Sequence, residues 1–365
     1  MNFKPFFKKA LLGAGLLAFS LSLGFMQPQK AEAIKIGNVI SKGAEIKKIN
    51  DSLNYYENDG RNELFEQLKI EDGVNNDPTL NAILDKIMTR LTDGIAKSDP
   101  SIKNKPYNYF INPFEYFNAY CTLGHNISIN SAVFYFFNNH EDRIAAVVAH
   151  EMAHGQKKHP INGAKKKLAV DAGVQIFGDN LKGAGYIAVG VLANQVKTVG
   201  VTKTNEWEAD NVSFTYMVDS GYNVGAPAAV WQRVMDNTQS SGKSKDLFSD
   251  ILNPSTHPDD SARRDNYAKK LTEFSKNKVT VDAATGEVKV NGKVFMKPVA
   301  AANMSGAERA YLVAGNLARI YNENATLAEA RNDNGVVRIG DQAVVTPASG
   351  DTSADELARV LNEIK

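Results

Sequence analysis

The stretch that decides the fold is Val148-Ala149-His150-Glu151-Met152-Ala153-His154-Gly155, which continues an apolar run that begins at Ile144. Read as a helix, it places His150 and His154 four residues apart, so both imidazoles lie on one face and can bind one metal ion. Glu151 follows the first histidine directly, where its carboxylate can reach water at the metal without becoming a ligand. The same pattern occurs by chance in helices that bind no metal, so the rest of the chain has to decide.

A two-histidine zinc site needs a third protein ligand, and the acidic segment Asn205–Asp210 offers one. Glu206 and Asp210 are four residues apart and face the same way on a helix. We therefore predict that Glu206 completes a site for one zinc ion per chain. Asp210 is predicted to accept a hydrogen bond from a ligating histidine. Glu208 competes for the ligand role but points to another face, and a solvated acidic helix start is the alternative without metal.

The composition narrows the range of partners. The 42 basic and 41 acidic residues nearly cancel, and we find no basic patch, so nucleic acid is not an expected partner. The length of 365 residues suits one large or two modest domains. Cys121 is the only cysteine, which excludes an internal disulfide.

The first 33 residues have the pattern of a signal peptide. Three lysines precede an apolar stretch from Ala10 to Phe25, and Ala31-Glu32-Ala33 has the small-x-small form of a cleavage site. The alternative is an uncleaved membrane anchor, but the apolar run is shorter than the ~20 residues that a spanning helix needs. We expect the mature protein to be exported, and to the periplasm in preference to the extracellular space. The mature chain is expected to have no transmembrane helix, and membrane association is left open.

The remaining pattern predicts two parts of an α+β protein. Residues 34–275 are expected to form a mainly helical domain with a small sheet and an active-site helix. Because His-Glu-x-x-His is the arrangement of zinc-dependent proteases, we expect a zincin-type metallopeptidase domain. Within this domain, Asp77 and Pro78 begin a helix, and an extended piece runs from Asn118 to Ile129. Residues 276–365 are expected to form a small α+β domain of two β-hairpin–helix repeats, because Val288–Pro298 parallels Val337–Pro347. We expect strands of both repeats in one sheet.

Five short pieces of the chain together resemble the HtpX and CAAX-prenyl-endopeptidase type of zinc metallopeptidase, in its soluble exported branch. They occur in the order typical of that family and cover roughly residues 70 to 272. The pieces are Asn118-Ala119-Tyr120, Val148–His154, Glu206-Trp207-Glu208-Ala209-Asp210, Ser220-Gly221-Tyr222-Asn223, and Thr256-His257-Pro258 with Arg263.

The resemblance implies a role for each matching residue. It implies His150, His154 and Glu206 as zinc ligands and Glu151 as the catalytic base. His257 would lie near the metal, where it could stabilise the oxyanion or block the open zinc position, and Arg263 would support the site. The chain departs from the family at Leu123-Gly124-His125, where Pro-Gly-Gly is usual, and at Ser213, where glycine is common.

Asn118, Ala119 and Cys121 are predicted to lie on an exposed edge strand beside the metal that pairs with the substrate backbone. The first departure from the family puts the shape of this edge in question. A further idea is that the Cys121 thiolate could reach the zinc and inhibit the site.

Taken together, the sequence predicts an exported zinc metalloendopeptidase that acts on unfolded or misassembled envelope proteins or peptides. The alternative is a chaperone-like binder of envelope proteins with a latent or structural zinc site. The C-terminal repeats contain no histidine or cysteine, so they are expected to dock partners or to stabilise the fold.

Overall fold

A computed structural model describes residues 36–166, 187, 189–198, 202–240, 258–324 and 326–365. Helices dominate this part of the chain and three small sheets accompany them, which confirms the predicted mainly helical α+β class. The signal peptide predicted for residues 1–33 and His257 lie outside the described residues. Within them, no helix is both long and apolar enough to cross a membrane.

We number the elements in chain order. The helices are α1 (Ile36–Glu57), α2 (Arg61–Asp72), α3 (Pro78–Ser98), α4 (Ser131–Phe136), α5 (Glu141–Gln156), α6 (His159–Lys166), α7 (Val189–Thr198), α8 (Lys203–Asp219), α9 (Ala226–Ser240), α10 (Asp260–Phe274), α11 (Gly306–Glu323) and α12 (Ala354–Ile364). The strands are β1 (Asn108–Asn112), β2 (Ala119–Thr122), β3 (Asn126–Asn130), β4 (Val279–Val281), β5 (Val288–Val290), β6 (Lys293–Met296), β7 (Ala330–Asp333), β8 (Val336–Ile339) and β9 (Gln342–Val345).

Helix α5 carries the histidine motif and lies at the centre of the core. Its residues Ile144, Val148 and Met152 are fully buried, and α5 packs chiefly against α8, α9 and α3. The helix ends at Gln156, and α6 begins at His159 after Lys158, whose φ of 58° turns the chain. Pro160 lies in the first turn of α6, a position that proline suits.

The start of α3 also agrees with the sequence pattern. The Asp77 side chain accepts hydrogen bonds from the backbone N–H groups of Thr79 and Leu80, and Pro78 occupies the first turn. The apolar stripe of α3, including Leu84, is buried. The stripe holds α3 alongside α5.

The first sheet has the strand order β1-β3-β2, with β1 parallel and β2 antiparallel to the central β3. The single extended piece predicted from Asn118 to Ile129 is therefore wrong. A short 3₁₀ turn at Leu123–His125 folds this segment into a hairpin, because Gly124 (φ 75°) and His125 (φ 58°) adopt left-handed conformations. The hairpin leaves β2 at the edge of the sheet.

The C-terminal repeats each form a three-stranded antiparallel sheet followed by a helix. The prediction that strands of both copies share one sheet is wrong, because β4-β5-β6 and β7-β8-β9 are separate. Each helix instead lies against strands of both copies: α11 contacts β4 and β9, and α12 contacts β6 and β7. The apolar strand faces are thus buried under shared helices, and burial does not require the sheets to join.

Helix α11 also packs tightly against α9 and the loop that precedes it. A Cβ atom on Gly225 would lie 1.8 Å from the backbone oxygen of Tyr311, and one on Gly315 would lie 1.9 Å from Asn223 Oδ1. One hydrophobic core therefore continues from Leu80 to Leu361. The division at residues 275 and 276 remains a prediction.

Candidate metal centre

Three side chains converge from α5 and α8. His150 Nε2 and His154 Nε2 lie 3.0 Å apart, and the two Glu206 oxygens lie 3.5 Å and 3.4 Å from these nitrogens respectively. Metal–ligand bonds of about 2.0–2.1 Å in a tetrahedral site place ligand atoms roughly 3.3 Å apart. The two histidine nitrogens lie at about this spacing from each other and each from one Glu206 oxygen, and the three side chains are of the kinds that bind zinc. Among the described residues, this is the group of histidine, cysteine and acidic side chains that could hold a metal.

A carboxylate contacts the His150 ring at Nδ1, the nitrogen that does not face the metal position. Asp210 Oδ1 lies 3.0 Å from His150 Nδ1, so the Nδ1–H donates to Asp210 and leaves Nε2 for the metal. Asp210 is fully buried and also accepts two hydrogen bonds from Arg263, at 2.8 Å from Nε and 2.5 Å from Nη2. Tyr267 donates a further hydrogen bond of 2.9 Å to Asp210. The carboxylate is thereby fixed in one orientation.

Arg263 spans the base of the site. Its Nη1 lies 3.1 Å from Glu206 Oε2, so one guanidinium contacts both carboxylates. The Trp231 ring lies under it, with Arg263 Cζ 4.0 Å from the ring centroid. This stacking orients the planar guanidinium.

The electrostatics of the site favour a cation between the donors. Burial lowers the pKa of His150, but hydrogen bonds to Asp210 and Glu206 outweigh it and raise the pKa to about 9. Burial, with the adjacent His150, holds the pKa of His154 well below its usual value. The raised pKa of His150 reflects the two carboxylates beside it, and their negative charge also favours a metal cation.

Glu151 is placed for proton transfer. Its Oε2 accepts a 2.8 Å hydrogen bond from the backbone N–H of Cys121 on β2. Burial is the main reason that the pKa of Glu151 rises to about 7. This carboxyl group can both accept and release a proton near neutral pH.

Comparison with protein-family models matches residues 78–270 to peptidase family M48. The match covers more than half of the 365-residue chain and includes every side chain of the centre described above. The chain belongs to peptidase family M48. The predicted resemblance is thereby confirmed, and membership supports the predicted enzyme class, a zinc metalloendopeptidase.

Curated relatives carry a more specific name. The chain is similar to the "Beta-barrel assembly-enhancing protease" of Escherichia coli (strain K12), at 25% identity over 182 residues, which are 47% of this chain and 36% of that protein. It is also similar to the protein of the same name from Yersinia pestis, at 26% identity over 202 residues, 53% of this chain and 40% of that protein. The chain therefore spans about two fifths of the length of these M48 relatives.

The predicted edge-strand residues occupy different positions. Ala119 and Cys121 lie on β2, whereas Asn118 precedes the strand and its carbonyl accepts a hydrogen bond from the Asn130 N–H. Cys121 does not belong to the metal-binding group, and burial raises the pKa of its thiol well above the ordinary value. The position of Cys121 outside this group argues against an inhibitory thiolate.

Several residues of this M48 centre were missed by sequence reasoning. His159 contacts His154, and Glu208, rejected above as a ligand, contacts His159. Trp231 and Tyr267 support Arg263 and Asp210. The four-residue spacing of Arg263 and Tyr267 is the signal that could have placed both on one helix face, but no sequence signal points to Trp231.

Both departures from the family pattern have a structural explanation. Ser213 Oγ lies 2.9 Å from the Tyr267 hydroxyl; because Tyr267 donates its hydrogen to Asp210, the serine donates to Tyr267 and helps to orient it. His125 adopts the left-handed conformation for which glycine is favoured, in the turn after β2 and not along its edge. Its ring stacks on Tyr107, with centroids 4.4 Å apart, and Tyr107 donates to the Met152 carbonyl on α5.

His125 predicts a pH dependence of stability. Burial, followed by the Lys105 charge, lowers the pKa of His125 to about 4, against roughly 6.5 when unfolded. Between these values the unfolded chain binds more protons, so the free energy of unfolding falls as pH decreases. When the pH falls from 7 to 4.5, we expect the free energy of unfolding to decrease by about 2 kcal/mol less in His125→Asn than in the wild type. Urea denaturation of metal-depleted protein at both pH values measures this, and equal losses would contradict it.

Proposed function

We propose that this M48 protein is an exported zinc-dependent endopeptidase that cleaves unfolded or misassembled envelope proteins. The observation that carries the proposal is the convergence of His150, His154 and Glu206: the two histidine Nε2 atoms lie 3.0 Å apart, and each lies within 3.5 Å of one Glu206 oxygen. Glu151, whose carboxylate interacts electrostatically with His150 and Glu206, adjoins the group. This arrangement provides three protein ligands and leaves a tetrahedral ion one position for substrate chemistry.

In the proposed mechanism, His150, His154 and Glu206 would hold the metal. A zinc ion there supplies Lewis acidity and makes water nucleophilic near neutral pH. Glu151 takes a proton from the attacking water and delivers it to the nitrogen of the departing amine. The Cys121 N–H holds Glu151 Oε2 in place during both transfers. Arg263 and Asp210 keep the ligands oriented.

Strand β2 is proposed to bind the substrate backbone. The Asn118 carbonyl faces β3, whereas the Cys121 N–H points away from β3 to Glu151. Since backbone groups alternate between the two edges of a strand, those of Ala119 and Cys121 face the outer edge. An extended peptide can pair with the Ala119 backbone at this edge while the Cys121 N–H stays bonded to Glu151, and it thereby passes beside Glu151.

The substrate class and the location are proposed on sequence grounds. The names of the relatives refer to β-barrel assembly, which is consistent with action on envelope proteins. The signal-peptide pattern of residues 1–33 supports export to the periplasm.

Metal removal tests the proposal. We expect the purified protein to contain one zinc ion per chain and to cleave unfolded casein. Dialysis against a chelator should abolish cleavage, and stoichiometric zinc should restore it, because the metal supplies the Lewis acid. Metal content by mass spectrometry and peptide release measure the two effects.

Two results would contradict the proposal. One is undiminished cleavage after complete removal of metal. The other is a zinc-loaded protein that binds unfolded chains without cleaving them, which would favour the chaperone-like alternative. Dialysed protein without added zinc is the control for the restoration step.

A further inference from the structure

We propose that His159 is a positioning residue for the zinc ligand His154, acting in a hydrogen-bonded relay that ends at Glu208. The inference rests on the proposed metal site but concerns residues outside the ligand set. His159 Nδ1 lies 3.0 Å from His154 Nδ1, and His159 Nε2 lies 3.2 Å from Glu208 Oε2. These hydrogen bonds therefore link the zinc ligand His154 to the Glu208 carboxylate through a second imidazole.

Metal binding assigns every proton in this relay. His154 faces His150 and Glu206 with Nε2, so Nε2 is the ligand atom and Nδ1 carries the hydrogen. Nδ1–H then donates to His159 Nδ1, which must have its lone pair free. The hydrogen of His159 consequently resides on Nε2 and donates to Glu208. One tautomer of each ring satisfies all contacts.

The fold holds the relay in place. His159 is 4% exposed and begins α6 immediately after the Lys158 turn, which directs its ring back towards α5. Glu208 lies on α8, the same helix as Glu206, with its side chain 48% exposed. The two glutamates of one helix thus act differently: Glu206 reaches the metal position directly, and Glu208 reaches it through two imidazoles.

Without His159, the Nδ1–H of His154 would be buried without its acceptor. The tautomer with hydrogen on Nε2 would then be favoured in the metal-free protein, and that hydrogen occupies the ligand atom. Loss of such outer partners typically weakens metal binding roughly 10- to 100-fold. We expect a loss of this size for His159→Leu.

Asparagine provides the matched comparison. Leucine and asparagine have nearly the same size, but the asparagine side-chain oxygen can occupy the position of His159 Nδ1 and accept from His154. We therefore expect His159→Asn to bind zinc within a few-fold of the wild type. Glu208→Ala, at a half-exposed side chain, should weaken binding less than His159→Leu because it removes only the outer acceptor. Glu273→Ala on the surface of α10 is the control.

The experiment measures zinc affinity by competition with a chromogenic chelator, without reference to proteolysis. The visible absorption spectrum of the cobalt-substituted protein reports the ligand field, and urea denaturation of the metal-free variants reports folding. The proposal is supported if His159→Leu binds zinc more weakly and has an altered cobalt spectrum, whereas His159→Asn stays near the wild type in both. The stability of the metal-free variants should be unchanged.

Equal affinity of His159→Leu and the wild type would overturn the relay while leaving the proposed function intact. Equal losses for the leucine and asparagine variants would overturn it too, because they would show that ring packing is what matters. If His159→Leu fails to fold, an unaltered zinc affinity in Glu208→Ala would overturn the proposal. A wild-type chain that binds no zinc would instead refute the proposed function.

Discussion

Glu151→Gln is expected to bind zinc and fold like the wild type while losing peptide-bond cleavage by roughly 10²–10⁴-fold. Glutamine has nearly the same shape and can accept the Cys121 N–H with its amide oxygen, so β2 should stay in place. It cannot take a proton from water or deliver one to the departing amine. The loss should therefore appear in kcat. Casein cleavage and zinc content of the purified variant measure the two expectations.

The matched control is Glu273→Gln, which makes the same chemical change on an exposed side chain of α10. It should cleave casein at the wild-type rate. Undiminished hydrolysis by Glu151→Gln would refute the proposed mechanism. A variant that also lost its zinc would show that Glu151 holds the metal site together.

Glu308→Ala is expected to lower the free energy of unfolding by roughly 3–5 kcal/mol. Glu308 on α11 pairs with Arg143 on α5, where both side chains are at most 2% exposed, and with Arg233 at 3.2 Å. Burial raises the pKa of Glu308 and lowers that of Arg143, so the charges are costly to bury even as a pair. Removing the carboxylate leaves a buried guanidinium without its partner. Urea denaturation followed by circular dichroism measures the loss.

Glu363→Ala on α12 provides the control. It breaks a pair with Arg359 in which both side chains are more than half exposed, and such pairs contribute at most about 1 kcal/mol. A double variant, Arg143→Met with Glu308→Leu, should recover much of the stability because apolar residues can replace a buried pair. A similar small loss in Glu308→Ala and Glu363→Ala would contradict the prediction.

The convergence of His150, His154 and Glu206 could be predicted from sequence because helical spacing is local. His150 and His154, and likewise Glu206 and Asp210, are four residues apart, which places each pair on one face of its helix. The contact of Asp210 with His150 follows once these two faces meet. The family pattern then relates the two helices, and the structure brings the three donors within 4.8 Å of one another.

The local sequence pattern was less informative about where strands begin and end and how they pair. The run from Asn118 to Ile129 has the composition of one extended piece, but the left-handed conformations of Gly124 and His125 divide it into a hairpin. The repeat in residues 276–365 was evident from sequence. The way in which its strands pair was not evident, because shared helices can bury two separate sheets as well as one.

By itself, the sequence determined the histidine motif, the acidic pair Glu206 and Asp210, the helical α+β class and the repeated C-terminal unit, because each is visible as a pattern along the chain. Only the tertiary structure decided which distant side chains support them. Arg143 and Glu308 are 165 residues apart, and His159 and Glu208 are 49 apart. Such pairs are selected by burial, since a polar group removed from water requires a partner from whichever segment the fold brings next to it.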